Sequence, residues 1–381
     1  MTEIATVANP DLEVTQDNKA NWNLPDQRRQ GFHNLHLMAR YTESFRARRV
    51  MPLRTRMDMR IPEMAAVARL TGHPAFSAMV VIRGGHVLFE RYAPDFGPDR
   101  PHSTQSISKT IMHLVIGRLT EEGALGLGDT VEQWVPEIGS GYRGATVQQV
   151  LDMDVCNAYT EDFTDPAATY WRHEVSMGFR LPADGEAEPA VKDFLCTITS
   201  DDTTNRTGVA QYKDANCDLL AWIAERASGR PMRAFLAEIA DAAGIEGRFH
   251  MTTDVTGFPS AAGGLCLTAR DLARYGALLV RRGLGVNGRR VGSAAFTETT
   301  LGRGVRLAPP RERLRYSNQT NTDGRWLGHG GYGGQYMLCD LTSGVVGVYF
   351  SVIEDKDAYP LDFYPPLIAA LEAIGRLSFD D

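Results

Sequence analysis

The chain has 381 residues, 43% hydrophobic and 23% charged, the makeup of a soluble globular protein with room for a large core and two lobes. A net charge of −7 and a pI near 5.8 argue against a general affinity for nucleic acid, and no apolar run is long enough to span a bilayer. Cys156, Cys196, Cys217, Cys266 and Cys339 are odd in number and widely spaced, so they read as reduced thiols; without H-E-x-x-H or a His/Cys cluster, neither metal nor cofactor is expected.

Residues up to about Pro25 are polar and weakly patterned, a tail or an arm wrapping the body. The start, Met1 to Pro10, has neither a basic segment nor an apolar signal core, which points to a cytoplasmic protein without a membrane partner. Arg40, Arg46, Arg48, Arg49, Arg54, Arg56 and Arg60 form a basic stretch that reads as solvated or lobe-bridging surface. Phe76–Ile82 and His86–Tyr92 are β-branched and aromatic runs around Gly84-Gly85, the pattern of a hairpin. The loop Ala93–Pro101 then delivers the chain to His102-Ser103-Thr104-Gln105-Ser106-Ile107-Ser108-Lys109-Thr110 and the apolar run Ile111–Ile116.

That stretch contains Ser106-x-x-Lys109. On a helix, residues three apart share a face, which sets the Lys109 amine one turn from the Ser106 hydroxyl. A serine needs a nearby base to attack a carbonyl at neutral pH, and a lysine desolvated by apolar neighbours can be that base. The tetrad alone is common on surface helices. Here, however, lysine is scarce, limited to Lys19, Lys109, Lys192, Lys213 and Lys356. The helix should end near Gly123.

Downstream, Thr146-Val147-Gln148-Gln149 is a capping box opening a helix through Leu151. Ala190–Ile198, Asn216–Ala227 and Pro231–Ala243 read as helices, and Thr268 caps another that ends near Gly283. Gly334–Asp340 and Val345–Val352 read as an antiparallel pair, followed by a helix over Pro365–Leu377. Strands at both ends with helices between predict an α/β (α+β) architecture: an antiparallel sheet built from both termini, flanked by helices, with an inserted helical lobe. The expected sheet lobe is 1–115 plus 256–381, with 1–25 as the arm, and the helical lobe is 116–255.

This arrangement resembles the serine penicillin-recognising fold of β-lactamases, penicillin-binding proteins and related esterases, whose S-x-x-K has partner motifs S-D-N and K-T-G in class A enzymes. Class C relatives use Y-x-N, and this chain has Tyr212-Lys213-Asp214 followed by a helix-like run. Within the superfamily it is most similar to the 6-aminohexanoate-dimer (nylon-oligomer) hydrolases. Their runs resemble Tyr92–Asp95, Val135–Glu137, Val147–Met153, Glu161–Ala167, Thr268–Arg274 and Gly334-Gln335. The resemblance implies Ser106 as nucleophile, Lys109 as its base and Tyr212 as a member of the proton network that protonates the leaving group. It aligns His329-Gly330-Gly331 with K-T-G and gives the Tyr332 amide, with that of Ser106, to the oxyanion.

Departures from the pattern shape the expected substrate. His329 stands where K-T-G has its lysine, which favours ester over β-lactam chemistry. Asp214 replaces the usual asparagine, and an acid near Lys109 would keep it protonated and weaken it as a base. Phe163 lies where the nylon-oligomer hydrolases carry a tyrosine that assists amide cleavage, so ester hydrolysis should be the easier reaction. Trp171 and Trp326 are candidate aromatic walls of the cleft. The expected function is hydrolysis of small esters or amides through an acyl-enzyme, with no cofactor and no nucleic-acid partner; a homodimer is compatible with it. Alternatives are an acyltransferase using the same acyl-enzyme, or a binding protein that kept the fold and lost turnover.

Overall fold

The computed structural model describes residues 20–354 and 360–379. Its main feature is a nine-stranded sheet running, edge to edge, Arg54–Thr55, His86–Tyr92, Phe76–Arg83, Val345–Ser351, Gln335–Asp340, Trp326–Gly331, Thr320–Thr322, Arg315–Ser317 and Val305–Arg306. The expected hairpin forms because Gly84 (φ 55°) and Gly85 (φ 87°) both take the left-handed conformation that a tight two-residue turn demands. Phe76–Arg83 then pairs antiparallel with Val345–Ser351, with Val80 opposite Val348, so the sheet joins segments from both ends of the chain.

Helices cover both faces, and two glycines show how. Neighbouring residues on a strand point to opposite faces. The helix Ala269–Val280 meets the side of Val346, where a Cβ on Gly276 would lie 2.5 Å from the valine methyl. The helix Tyr364–Gly375 meets the side of Gly347, where a Cβ would lie 2.8 Å from a Leu371 methyl. Lacking a side chain at each point, the chain brings its layers into close contact, and Phe76 to Ile82 are buried throughout.

Caps account for several helix starts. Thr146 accepts from the Gln149 amide at 3.2 Å while Gln149 accepts from the Thr146 amide at 2.9 Å, opening Val147–Leu151. Thr268 accepts from the Asp271 amide at 3.1 Å and opens Ala269–Val280. The helix Asp214–Ser228 ends at Gly229 (φ 65°), and Met232–Ala243 follows it.

The structure adds elements that the sequence pattern does not suggest. Arg28–Met38 is a helix whose Phe32 and Leu35 are buried. Tyr41–Phe45, Phe249–Thr253, Leu265–Leu267 and His102–Ser103 form a second, four-stranded sheet. Its last strand runs straight into the Ser106 turn. The Thr104 amide donates to the Leu265 carbonyl at 2.9 Å, which ties the entry of that turn to the sheet. The arm expected for residues 1–25 lies mostly outside the described residues.

Candidate active site

Gln105–Lys109 is a 3-10 helix that becomes the α-helix Thr110–Glu121, with Gly123 (φ 71°) just beyond it. In a 3-10 turn, residues three apart eclipse one another, which stacks Lys109 over Ser106. Gln105 precedes the serine in the left-handed region (φ 50°), a strained conformation for a residue with a side chain. Its side-chain Nε2 donates to Ser103 Oγ at 2.7 Å and helps hold it there.

Lys109 is completely buried, and its Nζ has three close oxygen partners. It donates to Ser106 Oγ at 2.8 Å and to the Ala262 carbonyl at 2.8 Å, and it pairs with Asp214 Oδ1 at 2.6 Å. Burial works against its charge. The Asp214 carboxylate, helped by Cys217, Tyr316 and Glu161, more than offsets that and holds the ammonium above the ordinary lysine range. Ser106 therefore accepts a hydrogen bond from a cation.

The elements around this lysine are held in turn. The Asp214 amide, in the first turn of its helix, donates to Glu161 Oε1, so the loop carrying Glu161 caps that helix. Burial first, and then the Asp214 charge, pushes the Glu161 carboxyl well above its usual range. One turn along, Asp218 Oδ1 accepts from the Ala262 amide at 3.0 Å, which fixes the carbonyl that faces Lys109. Asp218 Oδ2 lies 3.0 Å from His173 Nε2, and Tyr159 Oη lies 2.9 Å from the other ring nitrogen. Asp214, Asp218, His173 and Tyr159 are buried, and Glu161 is half-buried.

Ser106, Glu161, Phe163, Tyr212, Asp214 and Tyr332 line one cleft of about 550 Å³. The Lys109 Nζ lies 4.9 Å from the Tyr212 ring centroid, under the floor of the cleft. Phe163 packs on Tyr332 with ring centroids 5.3 Å apart, and both also line an adjoining chamber of about 400 Å³. Trp171 belongs to that chamber, with the Arg180 guanidinium 4.5 Å from its ring centroid.

Two residues expected at the cleft sit elsewhere. Trp326 is core: it is 1% exposed and its indole donates to Glu372 Oε1 at 3.0 Å, on the C-terminal helix. His329 is buried behind Tyr212, with Nδ1 2.6 Å from the Gly330 carbonyl and Nε2 3.1 Å from Tyr316 Oη. The carbonyl fixes the proton on Nδ1, so Nε2 accepts from the Tyr316 hydroxyl. Gly331 presses its backbone on the nucleophile turn, where a Cβ would fall 2.5 Å from the Thr104 carbonyl oxygen. The sequence reading missed Glu161 as a site group, Tyr316, Asp218 and His173; Glu161 and Asp218 lay inside recognised runs, Tyr316 and His173 did not.

A family model described as Beta-lactamase matches residues 65–363. The 6-aminohexanoate-dimer hydrolase of Paenarthrobacter ureafaciens is 40% identical over 233 residues, which is 61% of this chain and 58% of that relative's length. A solved Bacillus anthracis structure, provisionally assigned as a 6-aminohexanoate-dimer hydrolase, superposes with a TM-score of 0.80 at 21% identity, covering 98% of this chain and 100% of that one. A penicillin-binding-protein homologue from Caulobacter crescentus gives 0.60 at 17% identity, covering 82% and 98%. The two structures speak for the fold. The family model, which takes in the Ser106 turn, Tyr212 and the glycine-rich strand together, shows that the chain belongs to the β-lactamase family.

Proposed function

We propose that the protein is a serine hydrolase that cleaves small esters and amides through a covalent acyl-enzyme on Ser106, with short linear amides like the 6-aminohexanoate dimer within its range. The observation that carries this is the Ser106 hydroxyl 2.8 Å from a fully buried Lys109 amine, on a cleft of about 550 Å³. Ser106 Oγ attacks the substrate carbonyl. The backbone N–H groups of Ser106 and Tyr332 hold the oxyanion, and the loss of either donor would raise the barrier by about 3 kcal/mol. Tyr212, on the cleft side of the lysine, shares the proton network through which the serine proton reaches the leaving group, and water then releases the acid.

Phe163 offers the cleft a hydrocarbon edge and no hydroxyl, so it cannot itself assist departure of an amine. Esters should be cleaved faster than matched amides. Fluorophosphonate labelling that disappears in Ser106→Ala, with hydrolysis of 4-nitrophenyl acetate exceeding that of its anilide, is the expected result. A wild-type protein that resists the label and hydrolyses neither substrate would support the binding-protein reading. Equal rates for ester and amide would remove the role given to Phe163. The acyltransferase reading draws on the adjoining chamber of about 400 Å³, which has room for an acceptor, and added alcohols diverting the acyl group would favour it.

A further inference from the structure

A protonated lysine has no lone pair with which to receive a proton. In the resting site every Lys109 hydrogen has an acceptor, namely Ser106 Oγ, the Ala262 carbonyl and Asp214 Oδ1. For Lys109 to act on Ser106 it must first, or at the same moment, give a proton away. The groups that face it are few. The Ala262 carbonyl and the serine cannot take a proton at working pH. Tyr212 presents its ring face to the ammonium. Cys217 is a buried thiol on the Asp214–Ser228 helix, and Tyr316 is a buried phenol already donating to His329. Glu161 approaches through Asp214, whose amide it accepts. Among the described residues Asp214 is the one carboxylate in contact with the amine, and it also lines the cleft.

Resting on the serine-hydrolase reading, we propose that Lys109 and Asp214 act as a single proton-exchanging pair, with Asp214 taking a lysine proton while Lys109 takes the Ser106 hydroxyl proton. The balance is simple. Ser106 Oγ forms its bond to the carbonyl carbon, the carbonyl π electrons move to oxygen, and the serine proton goes to the lysine nitrogen. The lysine in turn transfers one of its own protons to Asp214 Oδ1. When the tetrahedral intermediate collapses, the same proton returns through Lys109 to the leaving group as its bond to carbon breaks. In the serine–histidine–aspartate triad the acid stays ionised, because the imidazole is neutral at rest and can accept directly. Here the base starts as a cation, so the acid has to move the proton. Low dielectric helps, since the neutral amine–acid pair is less penalised by burial than the ion pair. The acid at residue 214 thereby becomes part of the machinery, whereas an asparagine could not accept the proton.

The test is Asp214→Asn in the full chain, followed by 4-nitrophenyl acetate hydrolysis and by the rate of fluorophosphonate labelling, each across about pH 5 to 10. In the wild type the pair exchanges its proton internally, so activity should hold through neutral pH. In D214N burial is no longer offset by the carboxylate, so the lysine pKa falls and the neutral amine takes the serine proton directly, one proton in flight. Labelling rates in mixtures of H2O and D2O at plateau pH should then fall along a curve in the wild type, where two protons move together, and along a straight line in D214N. A straight line for the wild type, or a curve kept in D214N, would overturn the proposal. Should D214N not fold, Asp214→Glu decides: a curved response supports the pair, and a straight one rejects it. A wild type that takes no label and turns over no ester would remove the hydrolase reading itself.

Discussion

His329 occupies the place where a lysine would set a fixed cation beside the cleft, and its surroundings keep it neutral. Burial, then the nearby Lys109 charge, depresses its pKa to about 3, and its Nδ1–H is spent on the Gly330 carbonyl. The Tyr316 hydroxyl is the donor that satisfies Nε2 at 3.1 Å, and the Tyr316 ring stands edge-on to Tyr212 with centroids 5.8 Å apart. Tyr316→Phe would leave a buried nitrogen without its donor and should cost about 1–3 kcal/mol in urea unfolding. It should also loosen the seat of Tyr212, lowering kcat for slow-leaving amides more than for nitrophenyl esters; equal losses for both would mean the phenol is only structural. Ser106, Lys109, Tyr212 and Asp214 were legible because each lies in a short local pattern. Tyr316 was not, since it reaches His329 across two strand connections that leave no regular spacing.

At the level of elements, the nucleophile turn is clamped between the glycine-rich strand Trp326–Gly331 and the loop carrying Ala262. A Cβ on Gly331 would meet the Thr104 oxygen at 2.5 Å and Gln105 Cβ at 3.0 Å, and the first of these is backbone that cannot swing aside. Gly331→Ala should therefore push the strand and the oxyanion amide off the serine. A displacement of this size costs about 100-fold in kcat/KM. Gly128→Ala is the control, because its Cβ would have open space around it. Equal activity of the two variants would dismiss the clamp. Long elements with caps or even apolar runs were readable, as with Ala269–Val280 and the Gly84-Gly85 hairpin. The short strands Thr320–Thr322, Arg315–Ser317 and Val305–Arg306 were not. Their central turn is built on Asn318 (φ 48°) and Gln319 (φ 62°), without the glycine that usually marks such a turn. What holds it is tertiary: the Asn318 amide donates to Asp152 Oδ1 at 2.8 Å and the Gln319 amide to the Leu151 carbonyl at 3.0 Å.

Across the described residues, burial shifts several histidines and carboxyl groups toward their uncharged forms, and the two act on acid stability with opposite signs. His33 and His113 are depressed to about 3 and about 4, chiefly by burial, and His102 is held well below its usual range for the same reason. A histidine with a lowered folded pKa stabilises fully above pH 6.5 and loses that contribution as pH falls toward the folded value. Asp152, pushed up to about 6 by burial against its Asn318 and Arg303 partners, does the reverse between pH 6 and 4. The sum is a partial cancellation, so the informative measurement isolates one group. His113 is 2% exposed, between the Asn318 carbonyl and the Thr297 hydroxyl, each at 3.3 Å. His113→Gln removes a side chain that only the unfolded chain protonates near pH 6. The destabilisation it causes should be largest at pH 7.5 and shrink by about 1.4 kcal/mol for each pH unit below 6.5. Urea midpoints for wild type and variant at pH 7.5, 6.5 and 5.5 measure this directly. A gap that stays constant over that range would mean His113 takes up its proton inside the folded protein, and the helix Thr110–Glu121 would then open to solvent more readily than its packing implies.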